Sequence, residues 1–200
     1  KLADTIEEIS GGRLILGLGA GWHESEYRAF GFPFDHRVSR FEEGLRIVHG
    51  LLRHGKVDFV GRFYEARECV LEPRGPRRGG PPILIGSTGE RMLGLLAKYG
   101  DLWNAYFTPT KNRPAGVAPL RDKVDAACRK AGRDPATIGR TVAVFVAMAP
   151  GRRAYVHVAR GKLEVNGQPL EAGDALKTVG INELVLERGE GSEGLLFDLA

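Results

Sequence analysis

Arg13-Leu14-Ile15-Leu16-Gly17-Leu18-Gly19-Ala20-Gly21-Trp22 carries an apolar, partly β-branched run directly into a glycine-bearing turn. Such a run suits a buried strand, and the glycines let the backbone turn tightly toward a helix around Glu24 to Phe30. The expected unit is strand, loop, helix.

Upstream, Leu2, Ile6 and Ile9 recur at helical spacing, and Ser10, Gly11 and Gly12 end that helix, because glycine adopts the left-handed backbone found at helix C-termini. The chain starts with Lys1 inside an element, which reads as a cut. Downstream, Val38, Phe41, Leu45, Val48, Leu51 and Leu52 share one face of a helix over 37–53 that ends at Gly55. Val57 to Val60 and Phe63 to Ala66 flank Gly61-Arg62, which suggests a hairpin with a two-residue connection.

After a Pro/Gly/Arg loop at 73–82, Ile83 to Ile85 reads as a short buried strand, Gly86 to Gly89 as a loop and Glu90 to Tyr99 as an amphipathic helix. Leu102 to Phe107 is a further strand, Leu120 to Ala131 a helix and Thr141 to Met148 a strand. Alternation of this kind defines an α/β class with parallel strands. At Pro150-Gly151 the pattern changes to short β runs: Tyr155 to Ala159, Lys162 to Val165, Leu184 to Leu186 and Leu195 to Leu199. Asn166-Gly167 signals a type I′ hairpin. The expected division is an α/β segment over 1–149 and an all-β segment over 150–200.

Composition narrows the function classes. Hydrophobic residues make up 42% and charged residues 27%, a globular balance, and no apolar run reaches the roughly 18 residues of a membrane span. The 29 basic and 25 acidic residues are interspersed, which argues against nucleic acid as a partner. Cys69 and Cys128 match no metal or redox spacing, so two free thiols and a cytoplasmic location are expected.

Gly17-Leu18-Gly19-Ala20-Gly21-Trp22 departs from the dinucleotide fingerprint, since Trp22 stands where the third glycine belongs. It is either a bare tight turn or one wall of a ligand site. Gly86-Ser87-Thr88-Gly89 also follows a strand and opens a helix, where free N–H groups, the helix dipole and two hydroxyls converge on an anion such as phosphate. Two such loops at the C-terminal ends of parallel strands fall on the face where barrel enzymes build their sites. Gly21, Trp22, Gly86, Ser87, Thr88 and Gly89 are therefore the candidate cofactor-binding residues. His23 is a candidate general acid or base, or an ordinary helix-start residue in water. Glu24, Glu26, Glu42 and Glu43 read as first-turn or solvent-face charges. His36, His49 and His54 form no metal pattern, and no metal ligand is expected.

Asp4 to Trp22, continued by His23, Glu24 and Tyr27 to Gly31, resembles the luciferase-like monooxygenase family, especially its coenzyme F420-dependent branch. Arg37 with Phe41 to Glu43, Gly61 to Tyr64, Pro81 to Gly86 and Gly100 to Asn104 continue the resemblance in order. It implies a TIM-like (β/α) barrel that binds FMN or F420, with phosphate held at Gly21-Trp22 and Gly86 to Gly89. It further implies an oxidoreductase or monooxygenase acting on a small-molecule substrate by hydride transfer or oxygen activation. The same resemblance makes this a partial barrel, because family members place about three strands ahead of the matching segment. F420 has an acidic tail, for which the loop with Arg74, Arg77 and Arg78 is a candidate contact.

The tail resembles the C-terminal cupin half of pirin-like proteins through Arg153 to Val158, Gly161 to Leu163, Val165 to Gly167, Leu170, Ala172 to Asp174 and Leu195 to Asp198. His157 alone does not make the three-histidine iron site of that family. Two alternatives to a flavin or F420 enzyme stay open: a non-catalytic scaffold that pairs with a partner chain or a second copy through free strand edges, and a cupin dioxygenase.

Overall fold

In a computed structural model, residues 1–111, 113–143, 153–181 and 183–199 are described. The chain divides into two compact units, Lys1–Val144 and Phe145–Ala200.

The first unit is an α/β layer structure. It comprises α1 (Leu2–Ile9), β1 (Leu16–Leu18), α2 (Glu24–Ala29), α3 (Arg37–His54), β2 (Lys56–Val60), β3 (Glu65–Val70), β4 (Ile83–Ile85), α4 (Glu90–Tyr99), β5 (Leu102–Ala105), α5 (Phe107–Thr110), α6 (Val117–Lys130) and β6 (Gly139–Val142). β1, β4, β5 and β6 form a parallel sheet in that order. Leu18 lies beside Ile85, Ile85 beside Trp103 and Trp103 beside Arg140, so these residues share one face. That face meets the helices: Ile83, Ile85, Trp103 and Ala105 are buried with Leu45 and Leu52 of α3, Leu93 and Leu96 of α4, and Val124 and Cys128 of α6. The opposite face carries Gly17, Leu84, Asn104 and Thr141, none of which is fully buried. Full burial of an Ile or Leu side chain contributes about 1.5–3 kcal/mol, so the helix-facing residues hold the unit together.

Capping explains where helices stop. Gly55 follows α3 with φ +76° and donates its N–H to Leu51 O at 2.8 Å, the left-handed ending that glycine permits. Ser10, Gly11 and Gly12 end α1 as expected, with φ +62° and +84° at the two glycines.

Several elements differ from the sequence expectation. β1 has three residues, fewer than the run from Arg13 suggests, because Leu14 is drawn into a network below the sheet. The strand expected over 102–107 stops at Ala105, and α5 follows it. The expected strand from Thr141 lies in β6 only as far as Val142, and Val144 to Met148 fall outside the described residues. The β2–β3 hairpin has a connection over 61–64 instead of Gly61-Arg62 alone. The cause is Glu43 of α3, whose carboxylate accepts the N–H groups of Arg62, Phe63 and Tyr64 at 2.9, 2.8 and 3.0 Å. Those three groups are thereby held out of the ladder. Glu43 is thus an anchor, not the free surface charge its position suggests.

The second unit is antiparallel. It contains β7 (Arg153–Val165), β8 (Gln168–Glu171), β9 (Ala175–Val179) and β10 (Leu186–Leu199). β7 is central: β10 runs along one side, with β9 and β8 on the other. Asn166 and Gly167 both have positive φ, +48° and +77°, which is the expected type I′ turn. Val156, Val158, Val165 and Leu170 form its core. The two expected runs 155–159 and 162–165 are one strand, which passes Gly161 at φ +69°. β8 and β9 were not expected, because Pro169 and the exposed alternation of 175–179 mask them. No helix among the described residues is long and apolar enough to cross a membrane.

Candidate functional site

β1, β4, β5 and β6 run in one direction, so the loops after Leu18, Ile85 and Ala105 leave the sheet at the same edge. The loop Gly86 to Gly89 links β4 to α4. Its conformation is set from the core: the indole Nε1 of buried Trp103 donates to Ser87 O at 2.9 Å. Ser87 Oγ accepts the Gly89 N–H at 3.5 Å, and Gly89 caps α4 with no side-chain cap bond. Among the described residues no side chain accepts from the first-turn N–H groups of α4, which carry the positive end of the helix dipole. A Cβ at Gly89 would meet nothing within 4 Å, and one at Gly86 would make only ordinary contact with Asn104, at 3.6 Å or more. The glycines at this loop are not demanded by packing. They leave backbone open to an incoming group, and this fits a phosphate.

Gly21 is different. It has φ +71°, and a Cβ there would collide with the Tyr27 ring, whose hydroxyl donates to Ala20 O at 2.5 Å. The fold itself requires glycine at this position. Trp22 is 82% exposed, with its ring 5.0 Å from that of His23. His23 is exposed at the start of α2, with Ser25 Oγ 3.2 Å and Glu26 3.6 Å away. Nothing among these contacts buries or aims its imidazole.

Asn104 was not singled out as a site residue. Its Nδ2 donates to Thr141 Oγ1 at 2.8 Å, across the sheet face that the helices leave uncovered. Its side chain also borders Gly86. Gly86, Asn104 and Thr141 thus place polar atoms together on that face, near the ends of three adjacent strands. The signal in the sequence is a lone amide inside the apolar run Leu102 to Ala105.

The arginine loop is a correction. It precedes β4, so it lies at the strand edge opposite Gly86. Arg77 pairs with Glu7 of α1 through both its Nε and a terminal nitrogen, the latter at 2.7 Å, and also donates to Leu14 O. Glu7 is fully buried, and the hydrogen bond from Arg77 holds its carboxyl below the ordinary range despite burial. Arg74 donates to Leu52 O at 2.6 Å and Arg78 O at 2.9 Å. These side chains brace α1 and α3 at the strand edge opposite Gly86. Arg53 and Asp101 extend the brace: Asp101 accepts from Arg53 at 2.6 Å and from the Ile83 N–H at 2.7 Å.

Among the described residues, no group of three or more His, Cys, Asp or Glu could hold a metal ion. Cys128 is buried in the core and Cys69 lies on β3, both as free thiols.

A parallel sheet with helices on one face, and loops gathered at the strand ends, is the arrangement from which (β/α) barrels are built. The luciferase-like monooxygenase family model matches residues 1–186, and the chain belongs to that family. The match runs past the α/β unit through β9. The pyrimidine monooxygenase RutA of Cronobacter sakazakii is 34% identical over 141 residues, covering 67% of this chain and 40% of that protein. The chain therefore spans about 40% of the length of that relative. Among solved structures, the monooxygenase RslO1 of Streptomyces bottropensis aligns with a TM-score of 0.61 at 24% identity, over 74% of this chain and 44% of the other. An F420-dependent secondary alcohol dehydrogenase in complex with an F420-acetone adduct aligns at 0.56 and 20%, over 70% and 42%. These two establish the fold.

Proposed function

We propose that the chain is the cofactor-phosphate part of a flavin- or F420-dependent oxidoreductase that acts on a small molecule, with monooxygenation as the reaction its relatives favour. Members of the family use reduced FMN or F420. The observation that carries the reading is the Gly86 to Gly89 loop: an open backbone turn at a strand end, leading into an α4 N-terminus without a side-chain cap and fixed by Trp103. Ser87, Thr88 and the first-turn N–H groups of α4 would hold the phosphate, with Gly21-Trp22 on the neighbouring loop. Asn104 and Thr141 would face the ring end from the open side of the sheet. When bound, the reduced cofactor supplies the hydride or the reaction with oxygen, while the protein orients it and limits water. His23 is left as a group near the site without an assigned step.

The test is a fluorescence titration of the purified chain with FMN and with reduced F420, repeated on Gly86→Ala and on Ser87→Ala/Thr88→Val. Both variants are expected to fold. Binding reduced about tenfold or more in both supports the phosphate loop. Binding unchanged in both, or absent from the parent chain, ends the reading.

A second reading rests on the open strands. Among the described residues β10 pairs only with β7, and Leu195, Leu196, Phe197 and Leu199 on it are 38–54% exposed. Exposed apolar edges of this kind pair with other chains, so the chain would act as an interaction module. Sedimentation as a stable monomer at micromolar concentration removes it. A third reading makes the same unit a pirin-like cupin dioxygenase; it requires bound iron, and metal analysis that finds none removes it.

A further inference from the structure

A cavity of about 400 Å³ opens between the end of β1 and the first half of α3, on the helix-facing side of the sheet and away from Asn104 and Thr141. Its volume is within the usual range for small-molecule pockets. Leu18, Ala20, Phe41, Leu45 and Val48 supply apolar walls, and the rings of Tyr27, Phe32 and Tyr64 border it. Phe32 and Tyr64 are 66% and 44% exposed, which leaves apolar ring surface for an occupant to cover.

The charges in this cavity are unequal. Arg40 and Arg37 both line it, and both belong to the first turn of α3, which contains no acidic residue. Arg40 is already engaged: it donates to Asp35 O at 3.1 Å, pairs with Asp35 Oδ1 at 3.3 Å and lies over the Phe63 ring. Arg37 only lies over the Phe34 ring, 4.8 Å from its centre, and makes no hydrogen bond or ion pair among the described residues. Its positive charge therefore sits at the positive end of the α3 dipole without a counter-charge. His36 precedes α3 with φ +52° and offers no side-chain cap, and among the described residues no other side chain accepts from the first-turn N–H groups there.

We infer that this cavity binds a small aromatic monocarboxylate, with the ring among Phe32, Phe41, Tyr27 and Tyr64 and the carboxylate on the guanidinium of Arg37. An apolar body satisfies the walls, a single negative charge matches Arg37, which is unpaired among the described residues, and a planar carboxylate suits a guanidinium fork. The site does not include the Gly86 to Gly89 loop, although Gly19 and Ala20 at the cavity edge lead into Gly21-Trp22; the inference rests on the cavity and Arg37 and not on the cofactor reading.

The probes are phenylacetate and its uncharged counterpart 2-phenylethanol, titrated calorimetrically into the full chain. Phenylacetate is expected to saturate and to bind about tenfold or more tightly than the alcohol. Arg37→Gln is expected to erase that preference while leaving the thermal melt and the FMN titration unchanged. Leu45→Ala and Phe41→Leu report on the walls, and the conservative Phe41→Leu guards against a variant that fails to fold. Equal affinity for acid and alcohol, a preference that survives Arg37→Gln, or no saturation by phenylacetate up to about 10 mM overturns the inference.

Discussion

The indole Nε1 of Trp103 donates to the carbonyl oxygen of Ser87 at 2.9 Å, so a core side chain of β5 sets the course of the loop that leaves β4. Packing and site geometry are coupled at that bond. Trp103→Phe keeps an aromatic ring in the core but removes the donor. It is expected to cost about 0.5–1.5 kcal/mol from the hydrogen bond, plus a packing loss of about 1 kcal/mol or more from the cavity left in the core. It should also weaken FMN binding by about threefold to tenfold. A melt and a fluorescence titration of the same variant read the two effects separately.

Removing Arg77 leaves the Glu7 carboxylate buried with the Leu14 N–H as its remaining donor. Arg77→Ala is expected to destabilise the first unit by roughly 1–3 kcal/mol, because Glu7 is buried but Arg77 is about a third exposed, so water partly replaces it. Arg78→Ala, in the same loop, should leave F420 affinity unchanged, because the loop lies at the opposite strand edge from Gly86. Urea denaturation and F420 titration check the two claims.

Both Glu7 and Glu43 are held below the ordinary carboxylate value of 4.5. For Glu7 the Arg77 hydrogen bond dominates; for Glu43 burial works upward, and three backbone donors outweigh it. Each favours the folded state in its charged form, so their contribution is complete above about pH 4.5 and is lost as pH falls through the lowered values. Melting temperature should fall with pH below that point, and Glu43→Gln should show a shallower fall. In that variant, hydrogen exchange should also speed up at Arg62, Phe63 and Tyr64.

Gly21→Ala is expected to destabilise by at least about 1–2 kcal/mol, because the left-handed backbone and the Tyr27 ring both reject a Cβ. Gly89→Ala, where nothing lies within 4 Å, should cost far less in a thermal melt. A larger loss at Gly89 than at Gly21 would contradict the packing described.

Much of the α/β unit was legible because its signals are local. Ile83 to Ile85 followed by Gly86, the spacing along α3 and the turn at Gly55 each declare an element within a few residues. What escaped depends on partners distant in sequence. Phe63 and Tyr64 look like strand residues, yet Glu43, about twenty positions earlier, claims their N–H groups. Arg77 looks like a solvated arginine until α1 brings Glu7 against it from seventy residues away. At the candidate site, the Gly86 to Gly89 loop is visible as a pattern, whereas Asn104 gains its meaning only when β6 places Thr141 beside it.

The strands of the parallel sheet follow one another in space as they do along the chain: β1, β4, β5, β6. Only the small β2–β3 hairpin intervenes, and it pairs with itself. Each strand can therefore be laid on the edge left by its predecessor as the polypeptide leaves the ribosome, with its helix covering the new surface before the next strand is made. No early strand waits for a late one to separate it from its neighbour, and long-range pairing of that kind is the slow, aggregation-exposed step in β assembly. Synthesis in the N-to-C direction and growth of the sheet proceed in the same order.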